Sequence, residues 1–204
     1  MLCYNMRDQV ILVNEADEQL GVMEKQLAHK EAVLHRAFSV FLFSKDINGN
    51  WQVLMQKRAD DKYHCGGLWT NTCCSHPQPG ESVLAAGVSR LKEELGIEQS
   101  DLEEDSLKNI GCFIYKAKFP NGLTEHELDH VLVGFVDRNI KLLLNYAEVS
   151  ECKWYKLDII NDLIESKLTD LTPDLTQDLT QDLTSGLTPW LAPAIRLALT
   201  ALPG

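Results

Sequence analysis

Apolar, β-branched and aromatic residues gather along the chain in short runs bounded by turn residues. Gln9 to Asn14, Arg36 to Ser44, Trp51 to Lys57, Cys112 to Lys118, His130 to Val136 and Cys152 to Lys156 each predict a strand. Asn48-Gly49-Asn50, between the second and third runs, is a hairpin signal. A helix is predicted from Ser82 to Leu95, with Ser82 able to cap its start and Gly96 to end it. Its apolar positions Val83, Ala86, Leu91 and Leu95 keep helical spacing only loosely. Strands outnumber helices and do not alternate with them regularly, which predicts an α/β (α+β) mixed β-sheet sandwich with flanking helices.

From Leu168 to Pro189 the pattern changes to LTDLTPDLTQDLTQDLTSGLTP, a four-residue repeat. A period of four drifts by about 40° per repeat on a helix, so its leucines wind around the axis instead of forming one stripe. With Thr, Asp and two prolines in the run, a surface insertion is expected at about 168–189, without a catalytic role. Trp190 to Leu202 is apolar enough to form a terminal helix that returns to the body. Length favours a single domain over residues 1–204.

Net charge narrows the partners. At −11, with lysines and arginines scattered, the chain lacks the basic surface that nucleic acid requires. A small anion held by a few local cations is compatible with that balance. No apolar run approaches the roughly 20 residues of a membrane span, and no basic-then-apolar leader is evident, so a cytoplasmic enzyme is expected. Six cysteines without a leader predict reduced thiols; Cys3, Cys65, Cys112 and Cys152 read as small core or surface residues.

The chemistry concentrates around TNTCCSHPQPGE, Thr70 to Glu81, where two adjacent cysteines precede a histidine pinned by a proline. Glu125 and Glu127 are two apart and, if extended, present both carboxylates on one face. His29, His35 and His76 add imidazoles from three separate segments. Three imidazoles and two carboxylates suit a six-coordinate divalent ion, Mn²⁺, Mg²⁺ or Zn²⁺, better than the closed tetrahedron of structural zinc. Arg90 and Glu94 lie four apart on the predicted helix and can address one site. A carboxylate beside a guanidinium answers a magnesium diphosphate: the acid takes the metal, the base a phosphate oxygen.

The ordered series MEKQLAH, LHRAFSVFLF, QKRADDKY, GLWTNTCCSHPQPGES, RLKEELGI and a Tyr followed by NGLTEHE resembles the type 1 isopentenyl-diphosphate delta-isomerases of the Nudix superfamily, over about Gln9 to Leu157. The resemblance implies a Nudix-like fold and a 1,3-allylic proton rearrangement that converts isopentenyl to dimethylallyl diphosphate in isoprenoid biosynthesis. It makes Cys74 and Glu127 the proton-transfer groups, with Tyr115 assisting the glutamate. His29, His35, His76, Glu125 and Glu127 correspond to ligands of a bound divalent ion, and Glu94 to the carboxylate holding a substrate-associated Mg²⁺. Lys25, Arg58, Lys62, Ser75 and Arg90 correspond to diphosphate contacts. The substrate would be a small allylic or homoallylic diphosphate, with no protein partner implied.

The alternative is a Nudix-type diphosphate hydrolase. Aligning the hydrolase box, G-x5-E-x7-R-E-U-x-E-E-x-G-U, on Gly96 puts Ser89 at its Arg and Arg90 at the following Glu. One acidic metal ligand is thereby lost, whereas Glu93 and Glu94 remain, so the helix is fit to hold a diphosphate and poorly equipped to hydrolyse it. The chain departs from the isomerase pattern in two places. Cys65-Gly66 stands before Gly67 where Phe-Pro or Trp-Pro is usual. Ala192-Pro193-Ala194 stands for the usual Ser-Pro-Trp, with Trp190 nearby. Trp69 and Tyr115 are the aromatic faces expected to steady a carbocation.

Overall fold

In a computed structural model the protein is described over residues 8–168 and 186–203. Its elements, in order, are β1 (Gln9–Val13), β2 (Gln19–Glu24), α1 (Lys25–Glu31), β3 (His35–Lys45), β4 (Trp51–Arg58), β5 (Trp69–Thr70), β6 (Cys73–Ser75), α2 (Val83–Leu95), β7 (Lys108–Lys118), β8 (Thr124–Phe135), β9 (Val149–Lys156), α3 (Leu157–Leu168) and α4 (Leu191–Leu199). Most of the repeat at about 168–189 lies outside the described residues, as does Cys3. No helix among the described residues is long and apolar enough to cross a membrane.

Among the described residues, nine strands join one hydrogen-bonded network that branches at β3. Along one edge β3 pairs in parallel with β8, from His35 opposite Glu127 to Phe43 opposite Phe135. Its other edge is shared: β1 meets its start, β6 its middle and β4 its end. The eleven-residue β3 is buried almost throughout, as a strand covered on both faces must be. Phe38, Val40 and Leu42 point toward α2, whereas Phe41 and Phe43 point toward α3 and α4. Leu132 of β8 joins the first core, and Val131 and Val133 join the second. A period of two thus builds two apolar layers on one sheet.

The expected strands are present, with differences at their ends. β8 starts at Thr124, six residues before the apolar run, because its first half carries charged residues into the molecule instead of apolar ones. Helices α1 and α3 and the short strands β2, β5 and β6 were not evident from the apolar pattern. Helix α2 follows expectation: Ser82 Oγ accepts the Ala85 amide at 3.2 Å, and Gly96 closes the helix at φ +71°. All five described cysteines are free.

Gly87 brings α2 close to the sheet. A Cβ there would stand 2.8 Å from Leu132 Cδ1 and 3.0 Å from Leu107 Cδ1, both held within the core. Gly87→Val is therefore expected to cost about 1–3 kcal/mol through overpacking. Urea unfolding should show it as a lower midpoint with an unchanged slope; a wild-type midpoint would contradict so close an approach.

Candidate functional site

The site is assembled by strand register. Glu127 on β8 lies opposite His35 on β3 and opposite Tyr115 on β7, and Ser39, further along β3, lies opposite Cys74 on β6. Alternation then selects the side chains: Glu125, Glu127 and Asp129 share a face, as do Cys74 and His76. Cys73, one residue out of phase, is buried in the α2 core. His29 comes from α1, whose N-cap Glu24 accepts the Gln26 and Leu27 amides at 2.9 and 2.7 Å. Ala32, at φ +53°, ends that helix and turns the chain into β3.

Two imidazole tautomers follow from their partners. His29 Nδ1 lies 2.7 Å from the Lys25 carbonyl and His35 Nδ1 2.8 Å from the Val33 carbonyl. A carbonyl only accepts, so each Nδ1 carries the proton and each Nε2 keeps its lone pair. Both Nε2 atoms are buried without a hydrogen-bond partner, and they face Glu127 Oε1 at 3.6 and 3.4 Å. His76 Nε2 lies 3.0 Å from the same oxygen. Lone pairs converging on a carboxylate repel unless a cation stands among them. These four donors lie within 4.8 Å of one another, an arrangement compatible with a divalent metal ion.

The titration tendencies agree. Burial pushes His76 down to about 4, so its ring is neutral at physiological pH. Burial raises Glu127, and it is positive charge on the imidazole side, His76 first, that holds the carboxyl well below its ordinary range; with the three rings neutral, a cation among them would have to supply that charge. Glu125 goes the other way: burial and then the Glu127 charge push it up. A divalent ion would favour the ionised form of both.

Glu125 stands somewhat apart from the other four expected ligands. It groups instead with His29 and with His64, which the sequence pattern did not single out. His64 Nε2 is 3.1 Å from Glu125 Oε1, and burial, then Arg58, pushes the ring down to about 3, so it meets the carboxylate as a neutral donor. The His64 ring stacks on Phe119 at 5.1 Å. Tyr115 Oη faces both acids, 2.7 Å from Glu127 Oε2 and 3.0 Å from Glu125 Oε2.

These groups border a cavity of about 210 Å³. Lys25, Arg58, Lys62, Ser75, Arg90 and Glu94 line it together with Cys74, His76, Tyr115, Glu125 and Glu127; His29 and His35 lie behind Glu127. Arg58 Nη1 approaches Cys74 Sγ at 3.6 Å. Burial nevertheless dominates and pushes the Cys74 thiol well above its usual value, so it is protonated at neutral pH. Arg90 Nε donates to Glu94 Oε1 at 3.0 Å, and Gln56 Nε2 to Glu94 Oε2 at 3.2 Å.

The aromatic wall differs from expectation. Trp69 is fully buried against Tyr155 on the α3 side of the sheet, because its place in β5 turns it away from the cavity. Trp190 lines the cavity instead, 6.3 Å from Tyr115 and 5.7 Å from the Arg58 guanidinium carbon. Asn71 Oδ1 accepts its Nε1–H at 3.1 Å. Asn71 Nδ2 also donates to the Val40 and Cys73 carbonyls at 3.2 and 2.5 Å, and Thr72 Oγ1 donates to the Leu54 carbonyl at 2.5 Å. The TNT of the motif is therefore the frame that carries the cysteine. Asp129, two residues beyond Glu127, was also overlooked; its period-two spacing is the signal that could have found it.

The NUDIX domain family matches residues 33–175. An isopentenyl-diphosphate delta-isomerase of Aliivibrio fischeri is 44% identical over 159 residues, 78% of this chain and 86% of that protein. One from Photobacterium profundum is 45% identical over 150 residues, 74% of this chain and 80% of its own. Among solved structures, a Deinococcus radiodurans protein shares the fold, with a TM-score of 0.57 at 20% identity, covering 78% of this chain and 89% of that one.

Metal binding can be tested without turnover. Mn²⁺ or Zn²⁺ added to stripped protein is expected to raise the melting temperature in a concentration-dependent way, and His35→Ala to remove most of that shift. Equal shifts in both proteins would count against the cluster as the site.

Proposed function

The chain belongs to the isopentenyl-diphosphate delta-isomerases within the Nudix family, and from that premise we propose that Cys74 and Glu127 perform the proton transfers of the reaction in the cavity described above. The activity is the interconversion of isopentenyl and dimethylallyl diphosphate, a movement of one double bond with the diphosphate left intact. The observation that carries the proposed roles is the meeting of a protonated thiol and a buried carboxylate on the walls of one cavity whose other walls bear Lys25, Arg58, Lys62 and Arg90.

An isolated alkene is a weak base. Its terminal carbon takes a proton only if the resulting tertiary cation is kept from water and the adjacent methylene then gives up a proton. The thiol of Cys74 is suited to hold the proton, and Glu127 to exchange the matching one. Tyr115, hydrogen-bonded to Glu127, orients that carboxylate. The faces of Trp190 and Tyr115, 6.3 Å apart on the cavity wall, would steady the cation. His29, His35, His76, Glu127 and Glu125 would hold a divalent ion, Mn²⁺, Mg²⁺ or Zn²⁺, which would supply positive charge beside the buried carboxylates. Lys25, Arg58, Lys62, Ser75 and Arg90 bind the diphosphate, and Glu94 the Mg²⁺ that accompanies it. The charged handle fixes the five-carbon unit against the two proton-transfer groups.

With isopentenyl diphosphate and Mg²⁺, the protein is expected to form the allylic isomer. Cys74→Ala and Glu127→Gln should each lower kcat/KM by about 10²–10⁴-fold, the usual range for a lost proton-transfer group. Variants as active as wild type would refute these assignments.

The pH profile supplies a separate check. The active thiol is the protonated one, and its pKa is raised above the ordinary 9.0. Ionisation of Cys74 should therefore produce no loss of rate between about pH 7 and 9. Alkylation by iodoacetamide over the same range should stay slow at this residue; rapid labelling at pH 8 would contradict a protonated thiol.

A further inference from the structure

Two cations of the diphosphate cradle converge on one internal anion. Lys62, in the loop after β4, and Arg90, on α2, both contact Oε2 of Glu148, the arginine through Nη2 at 3.1 Å. Glu148 lines the same cavity, on the loop that leads into β9. Its backbone is fixed: its amide donates to the Asn145 carbonyl at 2.8 Å, and its carbonyl accepts the Ala59 amide at 3.0 Å. Its side chain is 27% exposed and so has room to move while the backbone stays in place. Arg90 keeps Glu93 and Glu94 as partners if Glu148 leaves.

An oxygen between a lysine and an arginine occupies the position a phosphate oxygen would take. Resting on the diphosphate end assigned under Proposed function, we infer that Glu148 is a built-in counter-ion that the diphosphate must displace from Lys62 and Arg90. A diphosphate has more anionic oxygens than one carboxylate and can engage a guanidinium bidentately, so it wins the exchange. The exchange still subtracts from its affinity. Substrate and product carry the same diphosphate, so the subtraction applies to both and favours replacement of one by the other. A cradle without the competitor would hold the product as firmly as it captures the substrate.

The opposing role is a scaffold, in which Glu148 only holds the two cations in place. The two roles predict opposite signs. Binding of inorganic pyrophosphate with Mg²⁺ is measured by calorimetry for wild type, Glu148→Gln and Glu148→Asp. For the competitor, Glu148→Gln, which keeps the shape and removes the charge, binds about tenfold more tightly and also lowers KM for isopentenyl diphosphate, while Glu148→Asp stays near wild type. Unchanged or weaker binding by Glu148→Gln, with its melting temperature preserved, overturns the inference in favour of the scaffold. If Glu148→Gln fails to fold, the sign is read from Glu148→Ala at the same position. Pyrophosphate binding to none of these proteins would instead overturn the diphosphate assignment, and the inference with it.

Discussion

A carboxylate removed from water has to be compensated by its surroundings, and Glu127 is such a carboxylate. It is 5% exposed, and three imidazoles converge on one of its oxygens while a phenol takes the other. The desolvation cost of an ion is several kcal/mol even after relaxation, so each surrounding element is constrained by it. Parallel pairing of β3 with β8 brings His35 opposite; antiparallel pairing of β7 with β8 brings Tyr115 opposite; α1 and its left-handed terminus bring His29 from behind. The backbone carbonyls of Lys25 and Val33 complete the arrangement by fixing which imidazole nitrogen faces the acid. A second layer of hydrogen bonds of this kind is what keeps a ligand cluster ready before an ion arrives.

The same sheet that gathers this polar cluster is also the centre of two apolar layers, and the pleat reconciles the two demands. Within three residues, Cys73 points into the α2 core, Cys74 into the cavity and Ser75 onto its wall. Asn71 and Thr72, both fully buried, spend their polar groups on the carbonyls of β3, β4 and the motif itself. Their hydrogen bonds hold the segment that carries the thiol, and Arg58 Nη1 approaches its sulfur at 3.6 Å. Asn71 also anchors Trp190, which ties the start of α4 to the wall of the cavity. A proton on an unstable cation needs both properties at once, a rigid acid and a dry wall.

Much of this was legible in the sequence because the strongest signals were chemical. The order of motifs pointed to the superfamily and the fold and named about half of the residues that line the cavity; Gln56, Tyr63, His64, Asp129 and Glu148 were among those it did not reach. Apolar runs gave the long strands: β3 is buried on both faces and reads as a nearly continuous hydrophobic stretch, and β4 shows its Val53-Leu54-Met55 centre. β8 was legible only in its second half, since TEHELD is a strand whose inward residues are the acids of the site. β5 and β6 are too short to show a period. His64 had no motif to announce it, and depends on a tight loop in which Cys65 takes φ +51° and Gly66 packs against the Asp60 backbone. That packing also explains the departure at Cys65-Gly66: a proline ring has no room at Gly66. Trp69 and Trp190 could not be told apart by sequence distance, because it is α4, over a hundred positions later, that returns to the cavity.

The absence of a hydrolytic helix acquires a physical meaning in this setting. A Nudix hydrolase uses the carboxylates of this helix to collect metal around a phosphate that water will attack. Here Arg90 stands among them and binds Glu93 and Glu94 directly. A guanidinium in that position lowers the negative charge available to gather metal and adds a donor fork for phosphate oxygens. The helix is thereby better suited to grip an anion than to activate water, in keeping with the proposed role of Arg90. Once the diphosphate is a handle and not the reacting group, the chemistry must occur at the far end of the ligand. In the proposed arrangement the walls there include Tyr115 and Trp190, with Cys74 and Glu127 among the ionisable groups of the cavity. One reversal of charge sign on α2 is consistent with both halves of the proposed division: fewer acids are free to gather metal at the phosphate, and the alkene is the group offered to acid and base.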